Sequence, residues 1–373
     1  MTTGKRVSES GGHQAAFSLS ISPPGQIIPL SPMSLSSQAG HETAPTDARL
    51  SHIVRLLVDN PMVVLSGPRI AEEIGTSRQD VWRLIEQLRE LGVDITGHAA
   101  TGYQLGSIPD LLLPDLLQPL VRSTIFASKL RHFFRIGSTN VAAMQAAAQG
   151  EPEGAVFLAE EQTAGRGRGG HTWESQASTG IYCSIVLRPA VAPADALLLS
   201  LVAGLAVSTA VESVTTIRPD LRWPNDVMLG HRKFCGILTE LNAEVTRVRY
   251  AVVGIGINVN QQAFPPDLEP IATSLRQETG REWSRVELAA ALLKSLDREY
   301  RALLENASSG RESILKRFEE RSSFARRREV HVDEDGGYDG ITEGLDERGF
   351  LQVRTDRGLR TVLSGGVRAR RNG

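Results

Sequence analysis

The stretch EQTAGRGRGGHTW, residues 161–173, lies between two apolar runs, AVFLAEEQT before it and GIYCSIVLRP after it. Both runs read as strands, one feeding the loop and the other alternating until Pro189 ends it. Four glycines and two arginines fall within residues 164–173. Glycine weakens helix and strand interiors alike, so the segment between the strands is a loop. A phosphate-cradling P-loop needs Gly-x4-Gly-Lys-Ser/Thr, and the lysine and hydroxyl are missing here. Gly165, Gly167 and Gly170 fit the letters of a dinucleotide fingerprint, yet no helix follows them. A plain surface loop and an RNA-binding arginine-glycine segment are the bland alternatives. The second is poor, because such segments repeat within tails. The favoured reading is an ordered loop around an anion, with Arg166 and Arg168 as fixed positive charges.

Working outward, an α/β pattern runs from Thr124 to about residue 325. RHFFRIG reads as a strand, and STNVAAMQAAAQG as a helix with Ser138 or Thr139 at its N-cap. ADALLLSLVAGLAVSTAVES is apolar all round, so it reads as a buried helix. LRWPNDVMLG, HRKFCGILTELNAE and VRYAVVGIGINVN read as strands, and SRVELAAALLKSLDREYRALLEN and RESILKRFEERS as amphipathic helices. These elements predict a mixed sheet with helices packed on it. Residues 326–371 show short strands separated by Gly-Gly and Asp-Glu-Arg-Gly turns, which predicts a small β-barrel.

Upstream, residues 47–106 read as a winged helix-turn-helix. ARLSHIVRLLVDN repeats its apolar residues at helical spacing. Pro68 suits the first turn of the next helix, Gly75 ends it, and Ser77 caps a third. In that third helix Val81, Ile85, Leu88 and Leu91 form the inward stripe, leaving Arg78, Gln79, Trp82, Arg83 and Glu86 outward. DITGHAATGYQLG reads as the wing. The motif places its second helix in the DNA major groove, with Ser77, Arg78, Gln79 and Arg83 toward the DNA. Against DNA stands the local charge. Six arginines face eight acidic residues here, a net −2, whereas DNA affinity rests heavily on neutralised phosphates. A packing or dimerising module is the alternative. Residues 107–123 read as a linker and residues 1–46 as a disordered tail rich in Ser, Pro and Gly.

Over the whole chain of 373 residues the formal charge is −2, which gives no global pull to nucleic acid or membrane. Two cysteines, Cys183 and Cys235, do not make a disulfide scaffold, so a cytoplasmic setting is expected. Pro23 and Pro24 interrupt the N-terminal apolar run, which argues against a signal peptide. No apolar window of about 18 residues is expected in the chain, and hence no membrane span. Lysine is scarce, with Lys233 among only five.

Three further motifs carry candidate chemistry. RWPND, residues 222–226, is a turn pair after a proline, with or without chemistry. Lys233 in RKFCGIL is either an exposed strand end or a site cation. Gly254 and Gly256 alternate along VVGIGIN and bare one face of a strand, either for a ligand or for close helix packing.

In this order, Ser138-Thr139-Asn140, EQTAGRGRGGHTW, RWPND, RKFCGIL and GIGIN resemble the biotin–protein ligase family over about residues 47–371. The flanking modules resemble the subclass that doubles as a biotin-operon repressor. The resemblance implies a multidomain α/β protein. After the winged helix-turn-helix would come an α+β mixed-sheet catalytic domain over 124–325, of the biotin/lipoate ligase, class II synthetase-like type. An SH3-like β-barrel would follow. It implies ATP, biotin and Mg2+ as cofactors, with no side chain assigned to a metal. A biotin carboxyl carrier protein, operator DNA and a second copy of the chain are the implied partners, with no membrane. Lys233, Arg168 and Asp226 become catalytic candidates. Ser138, Thr139, Asn140, Gln162, Gly165, Arg166, Gly167, Arg168, Lys233, Gly254 and Gly256 would hold biotin. Arg166, Arg168, Trp173, Asn225, Asn258 and Arg327 would hold the nucleotide. Two departures stand out: Gly169, where some members carry a third arginine, and Gly366, where an acidic residue is common. A sensing regulator with weak transferase activity, or a lipoate-ligase relative, are the other readings.

Overall fold

The structure, a computed structural model, describes residues 45–98, 101–305, 307–363 and 366–370. The tail expected over residues 1–46 lies outside these up to residue 44, as do residues 99–100 of the wing and 364–365 of the SGGV turn.

The N-terminal unit packs α1 (Pro45–Asp59), α2 (Gly67–Glu73) and α3 (Arg78–Glu90) against the antiparallel pair β1 (Ile95–His98) and β2 (Gly102–Leu105). Local chemistry sets the turn between the helices. Ser66 accepts from the Arg69 amide at the start of α2, and Gly75 takes φ +62° just past its end. Ser77 then accepts from the Asp80 amide while donating back to its carboxylate, a reciprocal cap. Leu50, Ile53, Leu57, Ile70, Val81, Ile85 and Leu88 form the core. Two details differ from the periodic reading. Leu84 joins the inward stripe, whereas Leu91 sits at the helix end and is only partly buried.

Residues 107–123 are packed along their length. They contain α4 (Pro114–Leu117), with Leu111 and Leu113 in the N-terminal core and Leu112, Leu117 and Val121 in that of the next unit.

That unit holds β3 (Leu130–Ile136), α5 (Thr139–Ala148), β4 (Val156–Gln162), β5 (Gly180–Leu187), α6 (Leu197–Thr215), β6 (Asp220–Arg222), β7 (Asp226–Leu229), β8 (Arg232–Ala243) and β9 (Val248–Asn258). It continues with α7 (Leu275–Thr279), α8 (Arg285–Glu305) and α9 (Ala307–Glu320). The seven strands order as β3-β4-β5-β9-β8-β7-β6. Only β3–β4 is parallel, so the sheet is mixed. Helix α5 covers one face through Ala142, Ala143 and Ala147, and α6 packs with α8 and α9 on the other. The segment Pro193–Thr215 is long and apolar enough to cross a membrane, which corrects the expectation that no such window exists. Its apolar window is 78% buried inside the fold, as a central core helix requires.

The C-terminal strands β10 (Arg326–Val332), β11 (Tyr338–Leu345), β12 (Leu351–Thr355), β13 (Gly358–Val362) and β14 (Val367–Ala369) form an antiparallel sheet ordered β13-β12-β11-β10-β14. Val330, Leu351 and Val362 join the core of the α/β unit, and the Trp223 indole donates to the Gly349 carbonyl at 2.8 Å.

A buried ionic junction fixes the 107–123 segment, which contributes to both cores, onto the α/β unit. Glu160 on β4 accepts from the Leu112 amide at 2.8 Å, from Arg285 Nη1 at 2.7 Å and lies 3.0 Å from His132 Nε2. Arg285, at the start of α8, also donates from Nε to Asp110 at 3.2 Å and from Nη1 to the Gly180 carbonyl. Burial by itself would raise the Glu160 pKa, but Arg285 and then His132 overcome it and hold the carboxyl at about 2.

Candidate active site

The sheet brings the sequence motifs to one end of β4, β8 and β9. Ser138, Thr139, Asn140, Gln162, Arg166, Gly167, Arg168, Trp173, Asn225, Lys233, Gly254 and Gly256 all line one cavity. Gln162, at the end of β4, accepts from both the amide and the hydroxyl of Thr139, at 2.9 and 3.0 Å. Ser184 on β5 donates to Thr139 and Asn140, and Asn140 donates to Glu240 at 2.9 Å. The serine expected as an N-cap begins α5 without a side-chain capping bond; its hydroxyl is buried and has no partner. The Trp173 indole N–H is likewise buried and unpartnered.

The glycine loop is ordered as a small hairpin. Arg166 bridges Thr172, the Gly167 amide donates to the His171 carbonyl at 2.7 Å, and the Trp173 amide to the Gly165 carbonyl at 3.0 Å. A Cβ at Gly165 would lie 2.5 Å from the Trp173 carbonyl oxygen, so the close crossing requires glycine. Gly169 has φ +66°, a left-handed conformation that an arginine there would adopt only with strain.

The floor is glycine on two strands. Gly236 of β8 pairs with Gly256 of β9, and the Trp173 ring lies on both. A Cβ would meet the ring at 2.8 Å from Gly236 and 2.5 Å from Gly256. Gly254 is filled differently, since its Cβ position is 2.1 Å from Asn140 Oδ1. The enclosed space measures about 50 Å³, far below the roughly 300–1,000 Å³ of small-molecule pockets. A ligand on the floor therefore requires the loop carrying Trp173 to move.

The charged groups stand at the mouth. Lys233 Nζ lies 2.6 Å from Asp226 Oδ1 and 5.6 Å from the Trp173 ring centroid. Both members of the ion pair are about one-third exposed, at 33% and 30%. A bulge between Val227 and Met228 lets Asp226 pair with Gly236 and Met228 with Lys233. The Lys233 backbone is clamped from behind by Ile271 and Thr273. Asn225 is locked to Ile237 in both directions, through its Nδ2 and its carbonyl. Burial lowers the Arg168 pKa, against the opposing fields of Asp226 and of Glu334 from the C-terminal sheet. A second cleft of about 530 Å³ runs from the loop over Arg222, Asp226 and Lys233 to Gly366 and Val367.

Four expected residues do not line the cavity: Gly165 lies under the loop crossing, Asp226 stands at the mouth beside Lys233, and Asn258 and Arg327 stand away from it. Asn258 is 4% exposed and spends its side chain on the Thr273 carbonyl and Gln261. Arg327 is exposed on β10, in the field of Glu343. The sequence reading also missed Gly236, Ser184 and Glu240. Gly236 stood in the RKFCGIL motif, but its pairing with Gly256 depends on strand register. Cys183 and Cys235 are free and buried, and burial pushes the Cys183 thiol up to about 12.

Comparison with known proteins places these observations. A model described as the Biotin/lipoate A/B protein ligase family matches residues 134–258, and one described as an HTH domain matches residues 49–104. A Bacillus spizizenii protein named Bifunctional ligase/repressor BirA is 33% identical over 81% of this chain and 93% of its own length. The Escherichia coli protein of the same name is 30% identical over 82% and 92%. Among solved structures, a biotin protein ligase from Aquifex aeolicus in complex with biotin and ATP superimposes with TM-score 0.57. That pair is 33% identical, covering 65% of this chain and 99% of the other.

Proposed function

This chain belongs to the biotin/lipoate A/B protein ligase family, in the branch of bifunctional ligase/repressors, and from that premise we propose how its site works. The chain activates biotin with ATP to biotinyl-5′-adenylate and passes the biotinyl group to a carrier-protein lysine. A carboxylate oxygen of biotin attacks the α-phosphorus, and pyrophosphate leaves. The lysine amine of a biotin carboxyl carrier protein then attacks the acyl carbon, loses its proton, and AMP leaves.

One observation carries the assignment of the site: Ser138 Oγ and Trp173 Nε1 are buried without partners on one glycine-floored cavity. Buried polar atoms in folded proteins are rarely left unpaired, so these await a polar ligand. Ser138, Thr139, Asn140 and Gln162 suit the ureido ring of biotin, Gly236 and Gly256 would lie beneath the bicycle, and Gly254 makes room for the Asn140 side chain. Gly165 and Gly167 let the loop cross closely. Arg166, Arg168, Trp173 and Asn225 face the nucleotide, while Asn258 and Arg327 act only through the elements that carry them.

Bringing a carboxylate to a polyphosphate needs fixed positive charge in a dry site. Lys233, held by Asp226 until the anions arrive, and Arg168 supply it. Asp226, freed by that exchange, orients the incoming amine, whose ordinary pKa of about 10.4 requires a proton to be lost. Magnesium would be held by the nucleotide phosphates, since no cluster of metal-ligating side chains occurs among the described residues, and would offset their charge. Loop closure excludes water from the mixed anhydride.

The N-terminal unit acts as the DNA-binding part through Arg78, Gln79 and Arg83, with Ser77 capping their helix. A homodimer would present two such helices to two half-sites. The C-terminal sheet is read as an SH3-like barrel, and the cytoplasm as the setting. Mass spectrometry of a carrier domain incubated with the protein, biotin, ATP and magnesium tests the enzyme. The expected result is a gain of one biotinyl group; an unmodified carrier overturns the reading.

A further inference from the structure

Helix α3 spends most of its charge on itself. Arg83 pairs with Asp80, which also takes the hydroxyls of Thr76 and Ser77. Arg89 pairs with Glu86 at 2.6 Å and donates twice to the Ile95 carbonyl, tying the helix to the wing. Among the described residues, Arg78 is the one arginine of α3 without an ion pair. The other exceptional side chain is Trp82, which is 56% exposed and stands one turn after Arg78 on the same face. Folding does not require it, because Val81, Leu84, Ile85 and Leu88 already fill the core side. A large exposed aromatic on an otherwise polar helix marks a contact surface more than a packing need.

Resting on the DNA-binding reading above, we propose that Trp82 is the specificity-determining residue of α3 and reads a thymine 5-methyl group in the major groove. Of the four base pairs, only those with thymine present an apolar methyl there, and an apolar side chain is its natural partner. Arg78 then supplies phosphate or guanine contact beside it. The division follows from the charges: Arg78 has no ion pair and Arg83, 64% exposed, can exchange Asp80 for a phosphate, so the arginines serve positioning. Sequence discrimination therefore falls to the neutral residues Trp82 and Gln79. A second-copy contact through the same ring is the competing occupant, and it is weaker because Trp82 lies within the outward face of a helix-turn-helix, between Arg78 and Arg83.

The full-length protein with biotin, ATP and magnesium is used to select a duplex from random sequence. Affinity is then measured for that duplex and for versions with each thymine replaced singly by uracil, which removes only the methyl. Wild type is expected to lose about five- to tenfold at one position per half-site. Trp82→Ala should bind the parent duplex at least tenfold more weakly and be insensitive to that uracil, with Trp82→Phe in between. The salt slope of Trp82→Ala should match wild type, whereas Arg78→Ala should lower it by about one if its contact is to phosphate. Carrier biotinylation should be unchanged in both variants, which reports the fold intact. Equal uracil sensitivity in wild type and Trp82→Ala overturns the proposal while leaving DNA binding standing. A variant that loses DNA only because it no longer self-associates in sedimentation also overturns it. If wild type selects no sequence at all, both the proposal and the DNA-binding reading fall.

Discussion

Two clusters of opposite charge sit in this protein, and they differ in how completely they are satisfied. At the junction of the 107–123 segment and the α/β unit, Glu160 is 0% exposed and Arg285 1% exposed, and both carboxylate oxygens and the guanidinium have partners. At the cavity mouth, Lys233 and Asp226 are each about one-third exposed, and unpartnered Ser138 and Trp173 atoms lie close by. A dry network whose carboxylate and guanidinium are both bonded holds geometry, even with His132 Nδ1 left without a partner, because breaking it strands a charge out of water. A half-exposed pair beside orphan donors can exchange its partners for a ligand. Both clusters pair carboxylates with cations, and burial with bonding separates the structural cluster from the exchangeable one.

Breaking the junction should have the largest effect. Arg285→Ala leaves Glu160 buried with a charge only His132 and the Leu112 amide can meet, and should lower stability by about 3–5 kcal/mol, read as a fall in Tm. The junction also sets an acid limit. Glu160 has a folded pKa of about 2 against an ordinary 4.5, so its stabilisation is complete above pH 4.5 and drains away as pH falls toward 2. Arg285→Ala should lose that acid-dependent component; an unchanged Tm and unchanged acid profile would place the junction's stability elsewhere.

Lys233→Ala should do the reverse, leaving stability within about 1 kcal/mol of wild type and Tm little changed, as a partly exposed pair predicts. It should slow biotin-dependent pyrophosphate release by roughly 10²- to 10³-fold, the usual loss for one group stabilising transition-state charge. Normal release would remove Lys233 from the chemistry.

A smaller effect is expected at the lid. Arg168→Gly removes a partly buried cation that lies in the field of Asp226 and Glu334, and should release adenylate early without blocking its formation. The measure is free biotinyl-adenylate appearing in a chase without carrier. Retention equal to wild type would show that the loop closes without this arginine.

Much of this was legible in order and spacing. Ser77 and Gly75 announced the helix-turn-helix because caps are local chemistry, readable within four residues. The glycine loop, Lys233 and the GIGIN strand were legible because their residue types are unusual for the elements that hold them. Asn258 and Arg327 stand away from the cavity for the opposite reason. The segment after β9 folds back so that Thr273 captures Asn258, and a bulge between Arg326 and Glu329 leaves Arg327 exposed on β10. Neither event has a local signature.

By itself, then, the sequence determined the helix-turn-helix, the strand-bounded glycine loop and the short roster of cations, since capping, periodicity and residue scarcity act over a few residues. Tertiary structure alone decided that Gly236 faces Gly256 beneath Trp173, that Lys233 meets Asp226 across a bulge, and that Glu160 finds Arg285 from 125 residues away. Those pairings depend on strand register and on which faces are buried together, and a shift of one residue would turn each side chain to the other face of the sheet.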